Sequence, residues 1–474
     1  MRLPESAGPT TQRHAPRTRT ERLVPDLGHA GFRRAKRQHI SGRLRRVEVV
    51  HCERVPSLFR TPAISLPGVG LFFDDPLFEE FTTMLGLGLG SLRGTAELGE
   101  VQATCARIDD GDDQSWFAAW RATGDLLVET GDACARGGHR ISAREAYLRA
   151  SVYYALAYHP LFGAGPEPRL LDAFGRQRAA FDKAAALLEP APEAIAIDFE
   201  GAGLPGYLFR AVEGERRPLL IATNGYDATI YEMYLAHAVP ALRRGYHCLI
   251  FDGPGQGAVL FEQGVPIRAD WETVVGSVVD AVVERDEIDA ERIALSGWSL
   301  GGYLSLRAAS GEPRLAACIA DPALFSIGEG MVGRLRAAGV SESVIERYPD
   351  IDDGALAPIA EAIHGNRAQR WAIEQRGFWV HGVSTLGEYL KATFPFTMDG
   401  RLGAIGCPTA LTAAENDPLS RSADKVYDEL RGPKTLLRFT AAEGAGDHCE
   451  MRNRGLLDQR VFDWLDDVLA TPRP

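Results

Sequence analysis

The stretch Gly297-Trp298-Ser299-Leu300-Gly301-Gly302 decides how this sequence is interpreted. It follows the short apolar run 292–296 and precedes a segment with helical spacing, 300–310. A strand, a sharp turn and a helix in this order match the pattern G-x-S-x-G, in which small residues flank a turn that exposes a serine hydroxyl. Amide groups at the start of the helix favour negative charge beside that hydroxyl. We therefore predict that Ser299 is a nucleophile.

A serine hydroxyl requires a base, and the base requires an acid that orients it. In sheets of this kind the acid follows a later strand and the histidine comes last. Asp417 comes soon after the apolar run 408–413, and His448 follows the last predicted strand. We predict that Asp417 is the acid and His448 the base. Glu415 is the alternative acid, and Asp417 could instead cap the turn before the next helix.

Two backbone N–H groups are needed to stabilise an oxyanion. We expect the first from Leu300, directly after the nucleophile, and the second from Tyr226, in the turn Asn224-Gly225-Tyr226-Asp227. An ordinary strand-to-helix loop is the alternative for that turn. The glycine-rich run 252–257 lacks the Lys-Ser/Thr of a phosphate-binding loop and the spacing of a dinucleotide fingerprint. It is predicted to be a structural turn.

From residue 191 onward, short apolar runs alternate with helical segments. This alternation predicts a mostly parallel central sheet with helices on both faces. The first two strands, 194–199 and 207–211, look like an antiparallel pair. The other predicted strands are 218–223, 247–252, 292–296, 315–321, 408–413 and 435–440, and the predicted core helices are 229–243, 270–288, 300–310, 420–430 and 455–469.

The sequence predicts five parts along the chain, of which two are helical regions outside the core. Residues 67–190 are rich in helical spacing and are predicted to form a lid domain, with a capping box of Ser142 and Glu145. Residues 322–405 interrupt the strand–helix alternation after the sixth strand and predict a helical lid insertion. Most aromatic side chains of these two regions are expected to pack together and a few to line a pocket. The predicted parts are 1–66, 67–190, 191–321, 322–405 and 406–474.

Composition narrows the function classes. The net charge is −12, yet the first 60 residues are strongly basic, and this leader is predicted to be disordered, with a nucleic-acid-binding arm as the alternative. The acidic body argues against binding to nucleic acid or to an anionic membrane. The seven cysteines are scattered without a CxxC pair. We therefore predict no metal, no cofactor, no membrane span and a cytoplasmic location.

Seven sequence segments resemble one branch of the α/β-hydrolase family, which includes 2,6-dihydroxypseudooxynicotine hydrolase and pigment-pathway hydrolases that shorten polyketide chains. The most specific of these segments lie in the N-terminal helical region. The segments are Phe72–Phe78, Ser115–Trp120, Gly138–Ala150, Asn224–Asp227, Asp252–Gly257, Gly297–Tyr303 and His448-Cys449.

The resemblance implies an α/β-hydrolase fold with a helical lid over a Ser-Asp-His core, often in a homodimer. It also implies hydrolysis of a carbon–carbon bond beside a ketone, or of an ester, in a small molecule. Nicotine-branch members use an extra acidic lid residue, for which Glu329 is the candidate here. Tyr231, Glu232 and Trp298 are candidate substrate-binding residues, with packing in the protein core as the alternative for the first two.

Two other function classes remain open from the sequence. An acyltransferase or cyclase would use the same three residues but replace water by another nucleophile, and product analysis separates it from a hydrolase. A ligand-binding protein on a hydrolase scaffold would lack a reactive serine, and a fluorophosphonate probe would reveal this.

Overall fold

A computed structural model describes residues 70–163, 165 and 167–470. The basic leader predicted at residues 1–66 lies outside the described residues. An eight-stranded sheet forms the centre of the structure, with the order β1-β2-β4-β3-β5-β6-β7-β8. The strands are β1 Glu193–Phe199, β2 Ala202–Phe209, β3 Arg217–Thr223, β4 His247–Phe251, β5 Ile288–Trp298, β6 Ala317–Asp321, β7 Thr409–Ala414 and β8 Lys434–Phe439.

The sheet is mostly parallel, as predicted. Strands β1 and β2 pair antiparallel, β2 pairs antiparallel with β4, and the remaining pairs are parallel. Every residue of β4, β6 and β7 is buried, so both faces of the central sheet are covered. In a parallel sheet the carboxyl ends of the strands share one edge, and this places the segments after β3, β5, β6, β7 and β8 near one another.

Helices connect most of the strands. The predicted helix 270–288 is too long: it ends at Asp280, because the charged run 284–287 does not continue the apolar spacing and leads into β5 at Ile288. The α- and π-helical segments of the core are Ile230–Met233, Tyr234–Ala238, Val239–Arg243, Gly257–Phe261, Trp271–Asp280, Gly301–Ala309, Ala423–Glu429 and Arg454–Ala470, and short 3₁₀ turns are Leu402–Ala404, Pro418–Ser422, Ala441–Glu443 and His448–Glu450.

The N-terminal region is helical, as predicted. Its helices are Pro76–Glu80, the π-helix Phe81–Leu89, Gly90–Leu92, Leu98–Cys105, Asp113–Arg136, Arg140–Tyr158, the 3₁₀ turn His159–Leu161 and Pro168–Ala185. The predicted capping box is wrong. The helix begins at Arg140, after left-handed Gly138, so Ser142 and Glu145 lie inside it.

Glycines allow two close approaches in this region. A Cβ at Gly131 would lie 2.4 Å from the ring of Tyr147. The Tyr147 ring of the helix Arg140–Tyr158 therefore packs directly on the backbone of the helix Asp113–Arg136 at Gly131. A Cβ at Gly88 would lie 2.3 Å from the carbonyl oxygen of Met451. The π-helix Phe81–Leu89 therefore packs directly on the segment that follows His448.

A helical insertion follows β6, as predicted. The sequence pattern predicts helices at 331–338, 358–364 and 367–375 of this insertion, but not Glu342–Ile345, Phe378–His381 or Leu386–Thr393. A capping box of Thr385 and Glu388 starts the last of these. The segments are Ile327–Ala337, Glu342–Ile345, Asp353–His364, Arg367–Gln369, the π-helix Arg370–Gly377, Phe378–His381 and Leu386–Thr393. Among the described residues, none of the helices is long and apolar enough to cross a membrane.

Candidate active site

Ser299 lies in a strained turn between β5 and the helix Gly301–Ala309. Its φ is +62°, which L-residues rarely adopt, and its N–H donates to the carbonyl oxygen of Asp321 at 2.7 Å. A Cβ at Gly297 would lie 1.8 Å from the carbonyl oxygen of Gly301, so the turn requires glycine there. The sequence pattern and the backbone therefore agree on a serine that is held above the sheet edge.

The structure brings together the three side chains predicted to act as nucleophile, base and acid. Ser299 Oγ lies 2.9 Å from Nε2 of His448, and Nδ1 of His448 lies 2.8 Å from Oδ2 of Asp417. Asp417 is buried and its Oδ1 also accepts from the Leu419 amide, so the carboxylate has a fixed orientation. Glu415 instead accepts from the Ala441 amide and makes no contact with the histidine.

The turn after β3 lies against the serine turn. A Cβ at Gly225 would lie 2.9 Å from Cβ of Ser299 and 3.2 Å from the amide nitrogen of Leu300. Among the described residues, the N–H groups of Leu300 and Tyr226 have no acceptor, so both are free to bind an oxyanion.

Residues of the glycine-rich run hold this turn in place. The Gln256 amide donates to the carbonyl oxygen of Asn224 at 2.7 Å, and Asn224 Oδ1 accepts from the Gly225 N–H. Asp252 accepts from the amides of Ile230 and Ala258. The run 252–257 is thus a structural turn that supports the neighbouring loop.

Opposing effects set the basicity of His448. Burial alone would lower the pKa of the imidazole, but the charge and hydrogen bond of Asp417, with the charges of Asp321 and Glu80, raise it to about 9. The ring therefore takes a proton readily when Ser299 gives one up, and the resulting imidazolium has carboxylates to stabilise it.

Glu80 is an acidic residue near His448 that sequence reasoning does not find. Its side chain is accessible to solvent and lies in the region of Ser299 and His448, the catalytic cleft. Burial raises the pKa of its carboxyl group, while His448, Arg376 and Arg452 oppose the rise. Among the described residues, this carboxyl group has no hydrogen-bond partner. No spacing signal exists because Glu80 is far from His448 in the chain.

Asp227 and Arg376 form a second charged group of the cleft that the sequence does not indicate. Nη1 of Arg376 lies 2.5 Å from Oδ2 of Asp227. The Arg376 guanidinium also stacks on Tyr226 and Trp371, at 5.2 and 4.6 Å from the ring centroids. Burial would raise the pKa of Asp227, but Arg376, His159 and His448 hold it below its ordinary value.

The candidate substrate-binding residues lie elsewhere than predicted. Glu329 is exposed and pairs with Lys425 at 2.6 Å, so it is not an acidic lid residue facing the cleft. Glu232 is buried and accepts from the Thr229 amide, where it completes a capping box. The other two candidates pack in the core: Tyr231 against Phe174 and Phe181, and Trp298 beneath Arg454.

Asp417, His448 and Cys449 could in principle share a metal ion, since their ligand atoms lie within 4.8 Å of one another. Two of them are already engaged in the hydrogen bonds that lead to Ser299. Burial raises the pKa of the Cys449 thiol well above its ordinary value, which disfavours the thiolate that binds metals. The arrangement is therefore better suited to proton transfer than to metal binding.

Comparison with known proteins agrees with this geometry. Residues 219–456, which contain the whole Ser299–His448–Asp417 chain, match the model of the alpha/beta hydrolase family. The chain belongs to the α/β-hydrolase family. This α/β-hydrolase is 32% identical over 414 residues to 20-hydroxy-prefusarin hydrolase FUS2 of Gibberella moniliformis, covering 84% of this chain and 97% of that protein. It is 32% identical over 407 residues to hydrolase acrC of Aspergillus aculeatus, covering 80% and 94%.

A solved structure has the same fold. The crystal structure of 2,6-dihydroxy-pseudo-oxynicotine hydrolase matches this α/β-hydrolase with a TM-score of 0.64 and 24% identity, over 81% of this chain and 95% of that one. The predicted fold, including the helical N-terminal region, is confirmed. The family match and the 32% identical hydrolases make this α/β-hydrolase an enzyme of the hydrolase class.

Proposed function

We propose that the protein is a serine hydrolase that acts on a small, polyketide-like molecule through an acyl-enzyme. The observation that carries the proposal is the continuous hydrogen-bonded chain from Ser299 through His448 to Asp417. In this mechanism His448 removes the hydroxyl proton as Ser299 attacks a carbonyl carbon, and Asp417 stabilises the imidazolium. The N–H groups of Leu300 and Tyr226 stabilise the oxyanion of the tetrahedral intermediate.

The bond that breaks joins the carbonyl carbon to its leaving group. In an ester that group is an alkoxide, and beside a ketone it is an enolate carbon. The imidazolium of His448 protonates the leaving group, and the same imidazole then activates the water that hydrolyses the acyl-enzyme. A carbon leaving group must be a stabilised carbanion, so a β-dicarbonyl or a phenolic ketone is the substrate class in that case.

Three observations support a polyketide-like substrate. The match to a relative named 20-hydroxy-prefusarin hydrolase covers 97% of that protein. Aromatic side chains from the helical regions form a continuous cluster, in which Phe81, Phe162 and Trp371 pack edge to face. The Glu80 carboxyl group adds a site for hydroxyl groups of a substrate. A homodimer and a cytoplasmic location remain predictions.

A fluorophosphonate probe and a substrate panel test the proposal. We expect the probe to modify Ser299 in the intact protein, as seen by peptide mass spectrometry, and to leave S299A unmodified. S343A, which changes an exposed serine, is the control and should react like the parent protein. Aryl β-diketones and aryl esters should be cleaved with oxygen from labelled water in the acid product. Modification of another residue, or activity in S299A, would contradict the mechanism, and transfer of the acyl group to an added alcohol would identify an acyltransferase.

A further inference from the structure

Two buried carboxyl groups, those of Asp321 and Glu450, face each other beside the catalytic residues. Asp321 is the last residue of β6, Glu450 lies two residues after His448, and both side chains are buried. The two groups lie within hydrogen-bonding reach of each other. Because an ionised carboxylate can only accept, two such groups form a hydrogen bond only when one of them carries a proton.

Asp321 connects the neighbours of the nucleophile and of the base. Its carbonyl oxygen accepts from the N–H of Ser299 at 2.7 Å, and its carboxyl group faces Glu450, in the segment directly after His448. That segment is strained, because Cys449 and Glu450 have φ angles of +52° and +49°. Such a backbone conformation persists only where the surrounding structure holds it. A contact made by the Glu450 side chain therefore affects the placement of the imidazole.

The hydrogen-bond donors around the pair are distributed unequally. The Asp321 carboxylate accepts from the Thr412 hydroxyl at 2.8 Å and from Nη1 of Arg454 at 3.4 Å. The same Nη1 donates to the carbonyl oxygen of Cys449 at 3.0 Å. Among the described residues, no donor reaches either carboxyl oxygen of Glu450. Donors stabilise the ionised form of a carboxyl group, so the proton of the pair belongs on Glu450.

The charges that face Glu450 favour the same assignment. Asp321 and Asp417 supply two carboxylates, whereas Arg454 supplies one positive charge. An ionised Glu450 would be a third buried carboxylate in this group, without a cation of its own. Burial, followed by the charge and the hydrogen bond of Asp321, raises the pKa of Glu450 well above its ordinary value, and Arg454 opposes the rise. The Cys449 thiol, which also faces Glu450, stays uncharged because burial raises its pKa too.

We propose that Glu450 is a positioning residue, whose neutral carboxyl group donates a hydrogen bond to Asp321 and so fixes the turn after His448. Its role in catalysis rests on the proposed function, because Glu450 acts only through the base. The proton stays on Glu450 during the reaction, so the pair keeps one negative charge, that of Asp321. This charge is among those that raise the pKa of His448.

Infrared spectroscopy measures the protonation state without an assay of activity. At about pH 8 exposed carboxyl groups are ionised, so a protonated buried acid is distinguished by its separate carbonyl stretch. The difference spectrum between the parent protein and E450Q should contain the band of a protonated carboxylic acid. E429Q, which changes an exposed glutamate, is the control and should remove carboxylate bands only. Loss of carboxylate bands alone in E450Q would overturn the proposal.

Kinetics on an aryl ester distinguish positioning from a purely structural role. In the conservative variant E450Q an amide N–H replaces the acid proton as donor, so kcat should stay within about threefold of the parent value and the pH midpoint of kcat/KM should not move. E450M has a similar size but no donor, and we expect it to lower kcat about tenfold or more because the imidazole loses its fixed place. D417N is the control for the pH profile, because it removes a charge that raises the pKa of the same imidazole.

Two kinetic results would contradict the role of Glu450. A midpoint that moves to lower pH in E450Q would show that Glu450 is ionised, and equal kcat values in E450M and E450Q would show that its donor is not needed. If E450M does not fold, the infrared spectrum and the pH profile of E450Q still decide the proposal. If fluorophosphonate fails to label Ser299 in the intact protein, the proposed function fails while the infrared result stands.

Discussion

Arg376 and Asp227 form an ion pair of 2.5 Å that joins the helical insertion to the turn that contains Tyr226. The Arg376 guanidinium also covers the ring of Tyr226, whose hydroxyl is bound to His381 of the same insertion. The insertion therefore fixes the residue that we propose as the second oxyanion donor from two sides.

We expect R376M to lower kcat about tenfold to a hundredfold with a small change in KM, because the Tyr226 amide loses its fixed position and Asp227 loses its ion pair. Steady-state kinetics on an aryl ester measure both constants. R367A is the control, because Arg367 also belongs to the insertion but forms its ion pair, at 2.6 Å, with Asp113 of the N-terminal region. If R367A reduces kcat as strongly as R376M, the effect arises from general loosening of the helical regions.

The pH dependence of kcat/KM should report His448. The imidazole must be neutral to accept the serine proton, and its pKa is about 9. We therefore expect kcat/KM to rise about tenfold per pH unit below that value and to level off above it.

In D417N the charge that raises the pKa is gone, so the rise should move to lower pH and the plateau should fall about 10³- to 10⁴-fold. An unchanged midpoint in D417N would contradict the assigned partner.

Glu80 provides a third measurable effect. Its charge contributes to the raised pKa of His448, so E80Q should shift the rise of kcat/KM to lower pH, in the same direction as D417N but by less. E129Q, on the exposed side of the helix Asp113–Arg136, should leave the profile unchanged. The shift should shrink at high salt to the extent that the cleft admits ions. A profile of E80Q that overlays the parent profile would remove Glu80 from the electrostatics of the site.

Two helix-interior glycines should respond oppositely to alanine. A methyl group at Gly131 collides with the ring of Tyr147, and we expect G131A to lower the free energy of unfolding by about 1–3 kcal/mol. At Gly175, in the helix Pro168–Ala185, nothing lies within 4 Å of the added carbon. G175A should raise the free energy of unfolding by about 0.5–1 kcal/mol. Urea denaturation measures both, and equal changes of one sign would show that the two environments are not distinct.

Local patterns were sufficient to predict most of the core. Buried parallel strands are short apolar runs, and the serine turn requires small residues at fixed offsets, so both are visible in a single sequence. The serine, aspartate and histidine lie at strand ends that a parallel sheet brings to one edge, so their proximity follows from topology. Helix ends follow less directly from local patterns: the capping box of Ser142 and Glu145 fits the pattern, yet the chain enters the helix earlier, after Gly138.

Sequence reasoning missed two charged residues of the catalytic cleft, because they lie on helices and not at strand ends. Glu80 and Arg376 belong to helical regions whose placement depends on side-chain packing between distant segments, for which a spacing rule has no signal. The opposite error occurred at Glu232 and Glu329. Glu232 closely follows the turn with Tyr226 in sequence, but a capping interaction holds its carboxylate. Glu329 lies in the first helix of the insertion, where a surface ion pair holds it.

The bare backbone at Gly88 leaves no room between the N-terminal π-helix and the carbonyl group of Met451, three residues after His448. Any exchange of these helices between homologues thus alters the surroundings of the proton acceptor as well as the shape of the cavity. Recombinants that inherit the two segments from different parents should lose turnover even on substrates that both parents accept. Evolution of new substrate preferences in this enzyme would then require the two segments to change together.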